Sequence, residues 1–158
     1  MKTPFYNWKI YLDTCCLSRL DDIVTSVRIQ REAEAIETIL NYCSTGQWLW
    51  FGSAVLTFEV NNTQNRRKRE QIQSHLSYVY QNVIINLAET SKAKYFESLG
   101  FKQADALHLA CAESSDVDVF LTTDDGILKR AKRFSSQLQV RVANPYEWLQ
   151  EMTQDENP

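Results

Sequence analysis

Apolar residues along this chain alternate between two spacings. Short runs rich in β-branched and aromatic residues occur at 9–13 (KIYLD), 48–51 (WLWF), 83–87 (VIINL), 117–122 (VDVFLT) and 138–142 (LQVRV), and these predict strands. Between them the apolar positions recur at helical spacing. In the segment 25–42, Ile29, Ala33, Ile36, Ile39 and Leu40 fall on one face among charged residues, with Asp21 and Asp22 flanking the turn before it and Gly46 ending the turn after it. Ser53 is placed to cap a helix through Ala54, Leu56, Phe58 and Val60. The polar, basic stretch at 61–76 continues as a helix through Leu76, Val79 and Tyr80. Further helices are predicted at 89–99, stopped by Gly100, at 102–113, at 127–134 and over NPYEWL at 144–149. Strands separated by helices build right-handed βαβ units, so the expected fold class is α/β with a mainly parallel sheet covered on both faces.

A length of 158 residues, 44% of them hydrophobic, suits one domain with a sizeable core. That domain is expected over 1–150, followed by a short, mobile acidic tail at 151–158. The formal net charge of -3 gives no global attraction for nucleic acid, yet it permits a local basic rim around an acidic centre. Cys15, Cys16, Cys43 and Cys111 lack CxxC spacing and only two histidines are present, which argues against a structural zinc site or a disulfide scaffold. The first residues lack a long apolar segment and no apolar run reaches about 18 residues, so a cytoplasmic protein without a membrane partner is expected.

The candidate chemistry lies in acids placed where solvated charges are uncommon. Asp13 closes the first strand, Asp124 follows the apolar run VFLTT, and Glu59 and Asp105 fall near the starts of helices. In an open parallel sheet the functional crevice lies beyond the carboxyl ends of the strands, where these acids converge. Several carboxylates gathered in one pocket require a cation. Mg²⁺ or Mn²⁺ suits oxygen donors, commonly with one or two carboxylates plus water and substrate phosphate. One or two such ions would activate water and neutralise charge on a scissile phosphate, with Glu59 as a ligand, a holder of water or a base. No GxGxxG follows a strand, no GK[ST] motif appears, there is no nucleophile elbow, and Asp13 is followed by Thr-Cys-Cys instead of completing a DxD phosphatase motif.

These motifs together resemble the PIN domain family of metal-dependent ribonucleases. YLDTCCLSR around Asp13, the helix start from Ser53 to Glu59, ADALHLACA around Asp105 and DVFLTTDDGILKRA around Asp124 carry the resemblance across residues 9–149. It implies a Rossmann-like three-layer α/β/α sandwich with Asp13, Glu59, Asp105 and Asp124 as catalytic and metal-binding residues. Thr14 and Thr122 match small hydroxyl residues beside the acids, and Asp125 competes with Asp124 for the fourth acidic position. The implied activity is Mg²⁺- or Mn²⁺-dependent endoribonuclease cleavage of RNA. The family also includes toxins neutralised by antitoxin proteins, commonly as homodimers. The alternative is a noncatalytic RNA- or protein-binding PIN-like domain.

Arg66, Arg67, Lys68 and Arg69 form the densest basic cluster and are candidate RNA contacts; Lys129, Arg130, Lys132 and Arg133 form a second cluster. His108 lies three residues after Asp105 on the same helical side but between Leu107 and Leu109, so its expected role is structural, and His75 is expected at the surface. Trp48, Trp50, Tyr146 and Trp148 read first as packing residues, since stacking on unpaired bases would require exposure.

Overall fold

The computed structural model describes residues 4–154. Its five strands form one parallel sheet: β1 (Lys9–Leu12), β2 (Leu49–Ser53), β3 (Gln81–Val83), β4 (Val119–Leu121) and β5 (Arg141–Ala143), in the order β3-β2-β1-β4-β5. β1 is central, with Ile10 opposite both Trp50 and Val119, and Leu12 opposite Leu121. Eight α-helices connect or flank these strands among the described residues: α1 (Thr14–Arg19), α2 (Val27–Ser44), α3 (Ala54–Asn61), α4 (Arg66–His75), α5 (Leu87–Ser98), α6 (Gln103–Ser114), α7 (Asp125–Arg133) and α8 (Pro145–Gln154). This is the expected α/β class, a parallel sheet with helices packed on both faces.

Period-two alternation divides the apolar residues of β1, β2 and β4 between two cores. Ile10, Leu12, Trp50, Val119 and Leu121 pack with Ile36, Ile39, Trp48 and Trp148. Tyr11, Phe51 and Phe120 face the other way, against Phe96, Phe101, Leu109 and Ile127. Both faces are therefore dry, which explains why the strands read as continuous apolar runs. Each fully buried large side chain contributes roughly 1.5–3 kcal/mol by leaving water. Trp48, Trp50 and Trp148 are indeed packing residues, each nearly inaccessible to solvent.

Three expected boundaries move, each for a local reason. The helix expected through Tyr80 ends at His75, followed by a 3₁₀ turn at Leu76–Tyr78; the Tyr80 amide then joins the sheet edge by donating to the Trp50 carbonyl at 2.8 Å. The strand expected at 83–87 is β3 at Gln81–Val83, whereas Ile84 and Leu87 are solvent-exposed and Glu89 accepts from the Asn86 amide to fix the start of α5. The strand expected at 138–142 starts only at Arg141, because Glu113 Oε2 takes the amides of Gln139 and Val140 at 2.7 and 3.3 Å. Of the tail expected from 151, residues 151–154 belong to α8, which buries Met152 in the core, and 155–158 lie outside the described residues. At Gly100 the φ of +100° is a conformation that a side chain would strain, and an added Cβ would have to displace the Arg130 guanidinium.

Candidate metal centre

Because all five strands are parallel, their carboxyl ends share one edge, and the acids gather there. Asp13 follows β1 directly and caps α1, an element absent from the sequence reading. Its Oδ1 accepts from the Thr14 amide at 2.9 Å, and its Oδ2 accepts from the Thr122 hydroxyl at 2.9 Å and the Cys15 thiol at 3.2 Å. Asp13 is 5% exposed, so these donors offset the loss of water around its carboxylate.

Glu59 reaches the same place from α3, whose start is fixed by the Ser53 hydroxyl accepting from the Leu56 amide. Its Oε1 receives both close contacts, 2.6 Å from the Thr14 hydroxyl and 2.5 Å from His108 Nε2. No described residue hydrogen-bonds Oε2. Burial alone would raise the Glu59 pKa, but the His108 and Thr14 hydrogen bonds and the nearby imidazole leave it below the ordinary carboxyl value.

His108 is nearly inaccessible, at 1% exposure, and extends the network inward. Its Nδ1 lies 2.6 Å from the Tyr11 hydroxyl, which in turn lies 2.6 Å from the Ser53 hydroxyl. Burial pushes the Tyr11 pKa well above its usual value, keeping the phenol neutral and available to hydrogen-bond. His108 thus fills the packing role expected of it while also joining the acids. Donor atoms of Asp13, Glu59 and His108 lie within 4.8 Å of one another, a cluster suitable for metal coordination. The one signal for His108 in the sequence was its position three residues beyond Asp105 on α6.

Asp105 and Asp124 lie outside that tight trio. Asp105, half-buried in the first turn of α6, receives no hydrogen bond or ion pair from the described residues. Burial, reinforced by the charges of Asp13 and Asp124 and eased by His108 and Lys102, raises its pKa to about 6. Asp124 caps α7, its Oδ1 accepting from the Ile127 amide at 3.0 Å. Asp125 instead forms an exposed ion pair with Arg28, whose hydrogen bonds lower its pKa. The two adjacent acids therefore have different surroundings: the charge of Asp124 helps raise the Asp105 pKa, whereas Asp125 is paired with Arg28.

The donor set fits a divalent cation. It offers the carboxylate oxygens of Asp13 and Glu59, with His108 Nε2 held against Glu59 Oε1, and beside them Asp105 is a half-buried acid whose pKa burial, then the charges of Asp13 and Asp124, raise to about 6.

The basic segment lies on α4. Arg66 is paired with Glu70, Lys68 lies 3.6 Å from Asp22, and Arg69 donates to the Thr63 carbonyl; Arg67 is exposed with no ion pair to the described residues. In the second cluster, Arg130 donates to the Leu99 carbonyl and Arg133 lies over the Phe134 ring. His75 is half-buried, and all four cysteines are free. Among the described residues no helix is long and apolar enough to cross a membrane.

A parallel α/β sandwich with an Asp/Glu/His cluster at its carboxyl edge defines the class as a PIN-like fold carrying a candidate metal centre. Among solved structures it is similar to the crystal structure of VapBC2 from Rickettsia felis bound to a DNA fragment from their promoter. The TM-score is 0.57 at 10% identity, over 86% of this chain and 98% of that chain. This likeness shows the fold alone. No protein-family model and no curated protein matches the chain.

Proposed function

We propose that this chain is a Mg²⁺- or Mn²⁺-dependent endoribonuclease of PIN type, acting as a homodimeric toxin restrained by an antitoxin protein. The observation that carries the nuclease reading is the meeting of Asp13 and Glu59 in one cluster with His108, which holds Glu59. The fold likeness to VapBC2 supports the toxin reading.

Asp13 and Glu59 would hold the cation, with Asp105 and Asp124 completing its charge complement. When bound, the ion supplies an activated water and neutralises charge on the scissile phosphate. The chain's own work is orientation: Thr122 and Thr14 fix Asp13, while Thr14 and His108 hold Glu59 through Oε1 and leave Oε2 open. Exposed Arg67 offers a salt-dependent contact to the RNA backbone without reading a base.

The test is cleavage of mixed-sequence single-stranded RNA by purified wild type and Asp13→Asn, with and without Mg²⁺ or Mn²⁺. A bound ion contributes several kcal/mol to charge stabilisation and each 1.36 kcal/mol is tenfold in rate, so Asp13→Asn should lower the rate at least about a hundredfold. Equal activity in both proteins would remove Asp13 from the chemistry. RNA binding without cleavage or metal binding would favour the noncatalytic alternative.

A further inference from the structure

The doubled acid Asp124-Asp125 divides its work between two partners. Asp124 caps α7 and donates its amide to the Thr122 hydroxyl that also holds Asp13. Asp125 is gripped by Arg28 of α2 through two parallel hydrogen bonds, Nη1 to Oδ2 and Nη2 to Oδ1, both at 2.9 Å. The same Nη2 donates to the Thr123 carbonyl at 3.1 Å, so one guanidinium holds the chain on both sides of Asp124.

The guanidinium is itself anchored. Its Nε lies 3.3 Å from Oε2 of Glu32, which is 1% exposed. That oxygen also accepts from Asn144 Nδ2 at 2.6 Å, while Arg19 Nε lies 3.1 Å from the other. Asn144 in turn caps α8, its Oδ1 accepting from the amides of Tyr146 and Glu147. On the opposite side of the loop, Thr122 Oγ1 donates to Asp13 and accepts from the Asp124 amide at 3.1 Å. The segment from Thr122 to Asp125 is therefore fixed from the candidate metal centre on one side and from α2 on the other.

We propose that Arg28 is a positioning residue for that centre: its fork on Asp125 and the Thr123 carbonyl fixes the loop through Asp124 whose other side is tied to Asp13 by Thr122. The catalytic meaning rests on the nuclease reading above, whereas the mechanical claim does not. The arrangement needs a planar fork, which lysine cannot supply. The Arg28 and Asp125 side chains are 50% and 60% exposed, so the pair contributes little to global stability and its effect is local order.

Full-length wild type, Arg28→Gln, Arg28→Lys, Asp125→Asn and the Arg28→Gln/Asp125→Asn double variant would be compared in two assays. In metal-free amide exchange, the Ile127 amide held by Asp124 should exchange at least severalfold faster in each variant, with α5 unchanged. In Mn²⁺ titration, each single variant should bind about tenfold more weakly, as for lost outer-sphere support, with the double variant no worse than either single. Melting temperatures should stay close to wild type. Unchanged Ile127 exchange in Arg28→Gln, wild-type behaviour of Arg28→Lys, or additive losses in the double variant would overturn the proposal. Failure of wild type to bind Mn²⁺ would instead sink the nuclease reading, and the exchange arm alone would decide the clasp.

Discussion

Replacing Asp105 by Asn should make the metal-free protein less sensitive to rising pH. In the folded chain the Asp105 pKa is raised to about 6 by burial and by the charges of Asp13 and Asp124, against an ordinary value of 3.8. Protonated Asp105 is therefore favoured by the fold, and that contribution is fully present below pH about 4 and lost as pH rises through about 6. A shift of this size corresponds to about 3 kcal/mol for a sequestered group at 1.36 kcal/mol per unit; solvent screening of a half-buried carboxyl reduces it to about 1 kcal/mol. For a domain of this size about 1 kcal/mol moves the melting temperature by roughly 2–4 °C. Melting curves from pH 4 to 8 in EDTA should show wild type falling behind Asp105→Asn by that amount above pH 6, and saturating Mn²⁺ should close the gap by stabilising wild type. Parallel pH profiles, or a gap that Mn²⁺ leaves untouched, would refute the view that Asp105 belongs to an uncompensated cation site.

Three further outcomes follow from named contacts. Tyr11→Phe deletes the hydroxyl between Ser53 and His108 Nδ1; leaving buried polar groups unpaired should cost about 1–3 kcal/mol in urea unfolding. His108→Leu should weaken Mn²⁺ binding at least about tenfold by isothermal titration, since Glu59 loses one of its two supports. Arg67→Gln should make the dependence of log binding constant on log salt for single-stranded RNA shallower by about 0.7 without changing sequence preference, and an unchanged slope would take α4 out of the RNA footprint.

Much of the fold was legible because burial on both faces of the sheet leaves a strong apolar signature at Ile10–Leu12, Trp50 and Val119–Leu121, and because helical spacing in α2 and α6 is clear. The two misplaced strands lie at the sheet edges and share one cause. VIINL and LQVRV have strand composition, but an edge strand is bounded by the hydrogen bonds available to it, and the Glu113 contacts to Gln139 and Val140 join residues 26 and 27 positions apart. Helix α1 was missed because the six residues Thr14–Arg19 are too few to show an amphipathic period, and their start depends on the same Asp13 carboxylate read as a ligand.

Asp13 and Glu59 could be marked from their places at a strand end and near a helix start, but the groups that orient them were only partly legible. Thr14 and Thr122 could be marked as neighbours of the acids, whereas the Glu59–His108 contact spans 49 positions and the Tyr11–His108 contact 97. A histidine flanked by leucines is usually packing, and His108 is packed; its two ring nitrogens nevertheless connect the core to a carboxylate at the sheet edge. Burial of His108 and orientation of Glu59 are one feature here. A solvent-exposed imidazole would lose its hydrogen bonds to water, while the buried one has Tyr11 and Glu59 as its close partners, so the dry core that stabilises the sheet also fixes the acid at its edge.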